Sequence, residues 1–198
     1  ITENNLDTCF MPTPLAESCL DLKWPEECRL KYLFSGGDAL RKAPKPDAPF
    51  KMFDHYGPSE CTVVSTYAEI TPERSKNKFP NIGFPISGAK VYILNESLNP
   101  VEDGQVGEIF IAGAGVGDGY LKDPELTKAK FLPDKFSKTR DAKMYKTGDL
   151  GARLKDGSIE FHGRTDRMVK IRGFRIELGE IESLILKQSY ISQAAVVL

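Results

Sequence analysis

Short blocks of apolar residues separated by polar turns run the length of the chain, and their character changes near residue 81. Residues 8–34 read as a helix followed by a strand. Pro12-Thr13-Pro14 suits a first helical turn, where proline's missing N–H is no loss. Leu15, Cys19, Leu20 and Leu22 then recur near the helical period. Leu30 and Tyr32-Leu33-Phe34 form a short apolar strand running into Ser35-Gly36-Gly37-Asp38, after which a second helix is expected. Three prolines between Arg41 and Pro49 mark a loop. Phe50–Phe53 predicts a second strand, and the β-branched and aromatic run Thr62–Ile70 a third. Ligands of such α/β layers bind beyond the carboxyl ends of strands, which draws attention to the residues after Phe34 and Phe53.

Beyond Asn81 the blocks shorten. Lys90–Leu94, Gly107–Ile111 and Ser158–Phe161 read as strands, punctuated by turns at Asn99-Pro100, Glu102-Asp103-Gly104 and Lys155-Asp156-Gly157. Strands spaced by tight turns favour a small antiparallel barrel or sheet. Asp123-Pro124-Glu125-Leu126-Thr127 opens a helix leading to Phe131. After Asp166 one or two strands precede a helix from Leu178 to about Gln188, and Ala194–Leu198 reads as a last strand cut short. The fold class is mixed α/β, with expected boundaries at 1–80, 81–165 and 166–198.

Composition narrows the function. The chain has 198 residues and a net charge of −1, so it carries no basic footprint for nucleic acid or an anionic membrane. No apolar run approaches the ~18 residues of a membrane span. The first residues lack the plan of a secretory signal. Cys9, Cys19, Cys28 and Cys61 form no C-x-x-C pair and read as free thiols of a reducing compartment, so a cytoplasmic protein is expected.

Four motifs carry candidate chemistry. Tyr56-Gly57-Pro58-Ser59-Glu60 follows the second strand; Gly107-Glu108-Ile109 and Tyr145-Lys146-Thr147-Gly148-Asp149-Leu150 lie between; and the run from Gly163-Arg164-Thr165-Asp166 through Lys170-Ile171-Arg172-Gly173-Phe174-Arg175 to Glu180-Ile181-Glu182 closes the series. In this order and spacing they resemble the adenylate-forming enzymes, most closely the adenylation domains of nonribosomal peptide synthetases. The ending Glu177-Leu178-Gly179-Glu180-Ile181-Glu182 favours that branch over acyl-CoA synthetases.

The resemblance implies a fold: part of the large N-terminal subdomain with its small β-barrel, then the start of an α+β C-terminal subdomain. It implies an activity in which an amino acid or related carboxylic acid attacks the α-phosphate of ATP, and the acyl group then passes to a phosphopantetheine thiol on a peptidyl carrier protein. Two anions must meet in the first step, so fixed positive potential and Mg²⁺ are expected. Glu60 matches the metal-binding glutamate, a hard oxygen ligand. Gly37, Asp38, Asp54, Tyr56, Gly57, Ser59, Asp149, Phe161 and Arg164 match nucleotide-binding positions. Ser59 replaces a commoner threonine. Asp54 replaces a commoner asparagine, and an aspartate accepts hydrogen bonds but cannot donate unless protonated. Asp149 matches the ribose-binding carboxylate.

Phe34, Gly36, His55, Val63 and Val64 match side-chain-pocket positions and suggest a mainly apolar pocket. Asp166 matches the hinge of the C-terminal subdomain, and Arg172-Gly173 the loop presented to the carrier. The family's phosphate loop, its acidic anchor for the amino group and its catalytic lysine match nothing among these residues, and Lys170 sits in a different motif. The chain therefore reads as a central piece that needs the remainder of the adenylation domain. Two other readings stay open: a non-catalytic adenylation-like scaffold and an acyl-CoA synthetase-type ligase.

Overall fold

The computed structural model describes residues 5–73, 81–166, 168–171, 174–188 and 190–197. Strand β1 (Thr8–Pro12) opens the chain and pairs in parallel with β2 (Tyr32–Gly36), Thr8 opposite Tyr32. The residues around Thr8 were expected to lead into a helix. Instead β2 recruits Cys9-Phe10-Met11 as a neighbour, a tertiary pairing that local periodicity cannot show. The helix α1 (Thr13–Leu20) starts where proline allows. Its buried face is Thr13, Ala16 and Leu20 rather than the expected leucine stripe, and Leu15 and Leu22 point to solvent.

β3 (Lys51–Tyr56) pairs in parallel with β2, and β4 (Thr66–Ile70) antiparallel with β3. Residues 37–50 contain no helix, so the expected second helix is absent; Asp38 instead folds its carboxylate onto the Ala39 N–H at 2.7 Å. β4 begins four residues later than its β-branched run suggests. Thr62 and Val63 adopt left-handed backbone at φ 58° and 69°, which no strand tolerates. One face of this sheet buries Leu33, Met52, Ala68 and Ile70 against α1 and the loop residues Leu30, Leu40 and Phe50. The other carries a row of aromatic rings, Tyr32, Phe34, Phe53 and Tyr67, with His55.

A strand not expected from the sequence, β5 (Asn81–Pro85), joins the two halves: it pairs with β4 on one side and with the later β10 (Ile159–Arg164) on the other. From there the ladder runs antiparallel through β9 (Lys143–Arg153) and β7 (Val106–Gly113) to β6 (Ala89–Leu94), with β8 (Phe131–Pro133) on β9. Ile82 of β5 and Val91 and Ile93 of β6 lie at opposite ends of this run. They nonetheless share one core with Ile109, Ile111, Tyr145 and Ile159, so the sheet wraps around it as a small barrel does. Helix α2 (Pro124–Lys130) is capped as expected, the Asp123 carboxylate accepting from the Leu126 N–H at 2.9 Å.

Past Asp166 a separate two-stranded sheet, β11 (Met168–Ile171) with β12 (Phe174–Glu177), leads into α3 (Leu178–Leu186). Residues 194–197 form no strand. Cys9, Cys19, Cys28 and Cys61 are unpaired thiols, and burial beside Glu60 pushes the Cys61 thiol up to about 12. No described helix is long and apolar enough to cross a membrane.

Candidate functional site

Two adjoining clefts open where β2, β3, β9 and β10 meet the β11–β12 hairpin. The larger, of about 370 Å³, is lined by Gly37, Asp38, Asp54, Tyr56, Gly57, Asp149, Phe161, Arg164 and Asp166, together with Met168 and Lys170. The smaller, of about 210 Å³, is lined by Phe10, Gly36, His55, Ser59, Val63, Val64, Tyr145 and Arg175. Tyr56, Gly57, Asp149, Arg164 and His55 border both.

Backbone geometry builds this junction. At the end of β3 the chain turns through Gly57-Pro58 into a single 3-10 turn, Ser59–Cys61. A side chain on Gly57 would stand 2.5 Å from the Val63 carbonyl oxygen, so only glycine lets the returning loop close. That loop is pinned by Ser65 N–H donating to the Tyr56 carbonyl at 2.8 Å and by the Thr62 hydroxyl donating to the Gly115 carbonyl at 2.8 Å. The left-handed Val63 is a strained β-branched residue held at a cleft wall.

Across the cleft, register slips in β10 between Phe161 and Gly163 and in β7 between Glu108 and Phe110 flank the Thr147-Gly148-Asp149 corner. Such bulges re-aim side chains. The Thr147 hydroxyl fixes the corner by donating to the Ile109 carbonyl at 2.6 Å and accepting from the Asp149 N–H at 2.9 Å. Glu108 adds to it, its Oε1 accepting from the Gly148 N–H at 3.1 Å.

Here four motifs meet. The Tyr56 hydroxyl donates to Asp149 Oδ2 at 2.5 Å. Arg164 donates to Asp149 Oδ1 through Nη1 and to the Thr147 carbonyl through Nη2 at 3.0 Å. It also grips Asp166 with two bonds, Nε to Oδ1 at 2.6 Å and Nη2 to Oδ2 at 2.7 Å. Asp166 in turn accepts from the Met168 N–H at 3.3 Å, tying the start of the hairpin to the barrel. Gly148, at φ +78°, is required twice over: a side chain there would stand 2.7 Å from Asp166 Oδ2. Burial raises the Asp149 carboxyl above its ordinary range, against the opposing Arg164 charge. Asp166, burial notwithstanding, is held below its ordinary range by the Arg164 fork. Burial and the Asp149 charge push the Tyr56 phenol well above ordinary, so it stays a donor.

Each Asp149 oxygen has one partner in this network, and a carboxylate offers about four acceptor sites, so capacity remains for two more donors. Phe161 lies 6.3 Å from the Tyr56 ring, its plane tilted. Phe34 borders neither cleft; it stacks on His55 at 5.0 Å and supports it. Burial lowers the His55 pKa, favouring a neutral imidazole.

Glu60 lines neither cleft directly. Its Oε1 accepts from the Tyr120 hydroxyl at 2.6 Å and from Arg175 Nη1 at 2.9 Å. Its Oε2 is buried and accepts from no described group. Burial raises the carboxyl, but the Tyr120, backbone and Tyr145 donors and the Arg175 charge outweigh that and hold it below its ordinary range. Among the described residues no three His, Cys, Asp or Glu side chains converge. Glu60, a carboxylate with one oxygen left unbonded among the described residues, fits Mg²⁺, an ion that often takes only one or two protein carboxylates. His162 pairs with Glu160 at 3.4 Å behind the bulge. Arg172 and Gly173 lie outside the described residues.

Several lining residues were not singled out from the sequence. Phe10 was hidden by the misplaced helix. Tyr120, which donates to Glu60 from outside the clefts, belongs to no motif, and Tyr145 was legible only as a motif member, not as the partner of the Tyr120 hydroxyl. Lys170 and Arg175 sat in a charge run whose facing direction only the hairpin register reveals.

Known proteins are similar to this chain in sequence and in fold. Residues 1–121 match the family described as "AMP-binding enzyme". Bacitracin synthase 1 of Bacillus licheniformis is 42% identical over 195 residues, covering 98% of this chain and 4% of that protein. Holo-PA1221, described as an NRPS protein containing adenylation and PCP domains bound to a vinylsulfonamide inhibitor, superposes with a TM-score of 0.82 at 28% identity, over 98% of this chain and 35% of that one. NpsA-ThdA, an artificially fused adenylation-PCP di-domain NRPS from Klebsiella oxytoca, gives 0.81 at 28% identity, over 100% of this chain and 40% of that one. This chain therefore spans a small part of the curated relative and less than half of either solved chain. By sequence and by fold, the chain belongs to the AMP-binding enzyme family, among adenylation domains of the nonribosomal peptide synthetase type.

Proposed function

We infer that this chain forms the nucleotide-facing part of a domain that activates an amino acid, or a related carboxylic acid, with ATP and passes it to the phosphopantetheine thiol of a peptidyl carrier protein. In the first step a substrate carboxylate oxygen attacks the α-phosphorus of ATP, and the bond to pyrophosphate breaks. In the second the carrier's thiolate attacks the acyl carbon and AMP leaves. The observation that supports this best is the meeting of Tyr56, Asp149, Arg164 and Asp166, drawn from three separate motifs, on one cleft wall. Nothing in packing alone requires a buried aspartate, an arginine and a second aspartate in line beside an open cleft.

In this reading the free acceptor sites of Asp149 take the ribose hydroxyls, which fixes the sugar's register. Tyr56 and Phe161 offer aromatic faces to the base, with Gly37, Asp38 and Asp54 along its edge. Ser59 donates to the α-phosphate, and Arg164 supplies positive charge already oriented by two carboxylates. Glu60 would hold Mg²⁺ through its unmet oxygen; the ion supplies charge neutralisation for the phosphates. The smaller cleft, with Phe10, Gly36, Val63, Val64 and His55, takes the substrate side chain and suits an apolar one. Asp166 serves as the hinge between a body of residues 1–80 and 81–165 and the part beginning at 166, and Arg172-Gly173 faces the carrier. The remainder of the adenylation domain completes the site.

The test is substrate-dependent ATP–pyrophosphate exchange by the complete domain, wild type against Asp149→Ala. Loss of the sugar contact raises the ATP concentration needed for half-maximal exchange by about tenfold or more, as two hydrogen bonds to a charged group warrant. An unchanged ATP requirement would remove the assignment.

A further inference from the structure

The contact between Glu60 and Arg175 joins parts of the chain 115 residues apart. Glu60 stands on the 3-10 turn of the large sheet and Arg175 on β12 of the separate hairpin. The guanidinium is aimed by its own strand: Nε and Nη2 hold Glu177 Oε1 at 2.9 Å and 2.8 Å, which leaves Nη1 for Glu60. Arg175 borders the smaller cleft while Glu60 does not, so the cation of the side chain lies between the cleft and the carboxylate. Tyr120 donates to the same Glu60 oxygen and is itself bonded to Tyr145 at 3.1 Å, a fixed support that leaves Arg175 as the charged partner.

A carboxylate that is only 10% exposed needs a cation near it. Two cations on one carboxylate repel each other, and the repulsion is strong where water is scarce. We propose that Arg175 and a divalent cation are alternative partners of Glu60, so that seating of the β11–β12 hairpin over the cleft and occupancy of Glu60 by metal exclude one another. This rests on the reading of Glu60 as the metal ligand. A cation on Glu60 would hold the hairpin off, and a Glu60 without one would draw Arg175 in and seat the hairpin. Because linkage is reciprocal, removing Arg175 must strengthen metal binding by the same factor that metal weakens seating.

The experiment uses the complete domain without nucleotide and Mn²⁺ as the probe, with free Mn²⁺ read by electron paramagnetic resonance. Arg175→Ala binds Mn²⁺ about tenfold more tightly than wild type, within the range usual for coupled sites, and Arg175→Lys falls between the two. In parallel, saturating Mg²⁺ lengthens the distance between fluorophores at Glu102, on the β6–β7 turn, and Leu184, on the exposed side of α3, and does so in wild type but not in Glu60→Gln. Equal or weaker Mn²⁺ binding by Arg175→Ala, or a distance unmoved by Mg²⁺, overturns the exclusion. If Glu60→Gln loses Mn²⁺ while Arg175→Ala matches wild type, only the exclusion falls. If Glu60→Gln binds Mn²⁺ like wild type, the assignment of Glu60 as ligand falls with it.

Discussion

Replacing Arg164 by methionine tests how the cleft wall is held together. Arg164 donates to Asp149, twice to Asp166 and once to the Thr147 carbonyl, and its side chain is only 16% exposed. Methionine keeps the stem and deletes the charge. Asp166, with a side chain 32% exposed, can turn to water, but Asp149 at 8% cannot and keeps only the Tyr56 hydroxyl. A buried ion pair broken from one side costs about 3–5 kcal/mol, and relief at Asp166 brings the expected loss to roughly 2–4 kcal/mol near neutral pH. The loss must depend on pH. Asp149 already has a raised carboxyl pKa in the folded state, and losing Arg164 raises it further. A carboxyl raised on folding contributes stability below its unfolded pKa and loses it as pH rises through the folded value, so acidification favours the variant. Asp166 is lowered in the wild type by Arg164, a contribution the wild type loses on acidification and the variant never has. Both act in one direction but in different windows: the gap between wild type and variant, read from urea unfolding of the complete domain, narrows between pH ~8 and ~5 through Asp149, and through Asp166 only below its ordinary value of 3.8. A gap of full size at both ends would refute the picture of a charge-balanced wall.

Four further outcomes are expected. Glu60→Gln raises the Mg²⁺ concentration needed for half-maximal pyrophosphate exchange, because an amide is a poorer ligand than a carboxylate; an unchanged metal requirement counts against Glu60. Gly148→Ala forces a side chain at φ +78° against Asp166 and destabilises the domain by about 1–2 kcal/mol, with carrier loading falling more than exchange; a melting temperature equal to wild type would contradict the crowding. Asp166→Pro fixes a backbone angle at the proposed hinge and lowers carrier loading, followed with radiolabelled substrate, more than it lowers exchange; equal loss in both assays argues against a hinge there. His55, whose pKa burial lowers, becomes charged only at acidic pH, so KM for an apolar substrate rises as pH falls through that lowered value, and the rise disappears in His55→Phe.

Local chemistry was enough to read the strands β2, β3, β6 and β7, the Asp123 cap and the order of the motifs, because turn residues and alternation are local signals. What escaped depended on partners. β1 exists because β2 lies beside it, and missing it hid Phe10. β5 joins two sheets through few paired residues and carries little alternation of its own. The late start of β4 follows from two left-handed residues, Thr62 and Val63, whose types argue for strand. In the site, Tyr56, Asp149, Arg164 and Asp166 were legible as motif members. Their mutual bonds, and the Tyr120 and Arg175 contacts to Glu60, come from register shifts and a hairpin orientation that no local pattern encodes.

The central claim is that the Tyr56–Asp149–Arg164 wall holds the nucleoside of an acyl-adenylate. Titration calorimetry of the complete domain with a non-reactive acyl sulfamoyl adenosine tests it without catalysis or metal. The account predicts that Asp149→Ala weakens binding by about a hundredfold or more, the value of two charge-assisted hydrogen bonds, while the fold stays intact by circular dichroism. Binding of equal strength by wild type and a folded Asp149→Ala variant would contradict it.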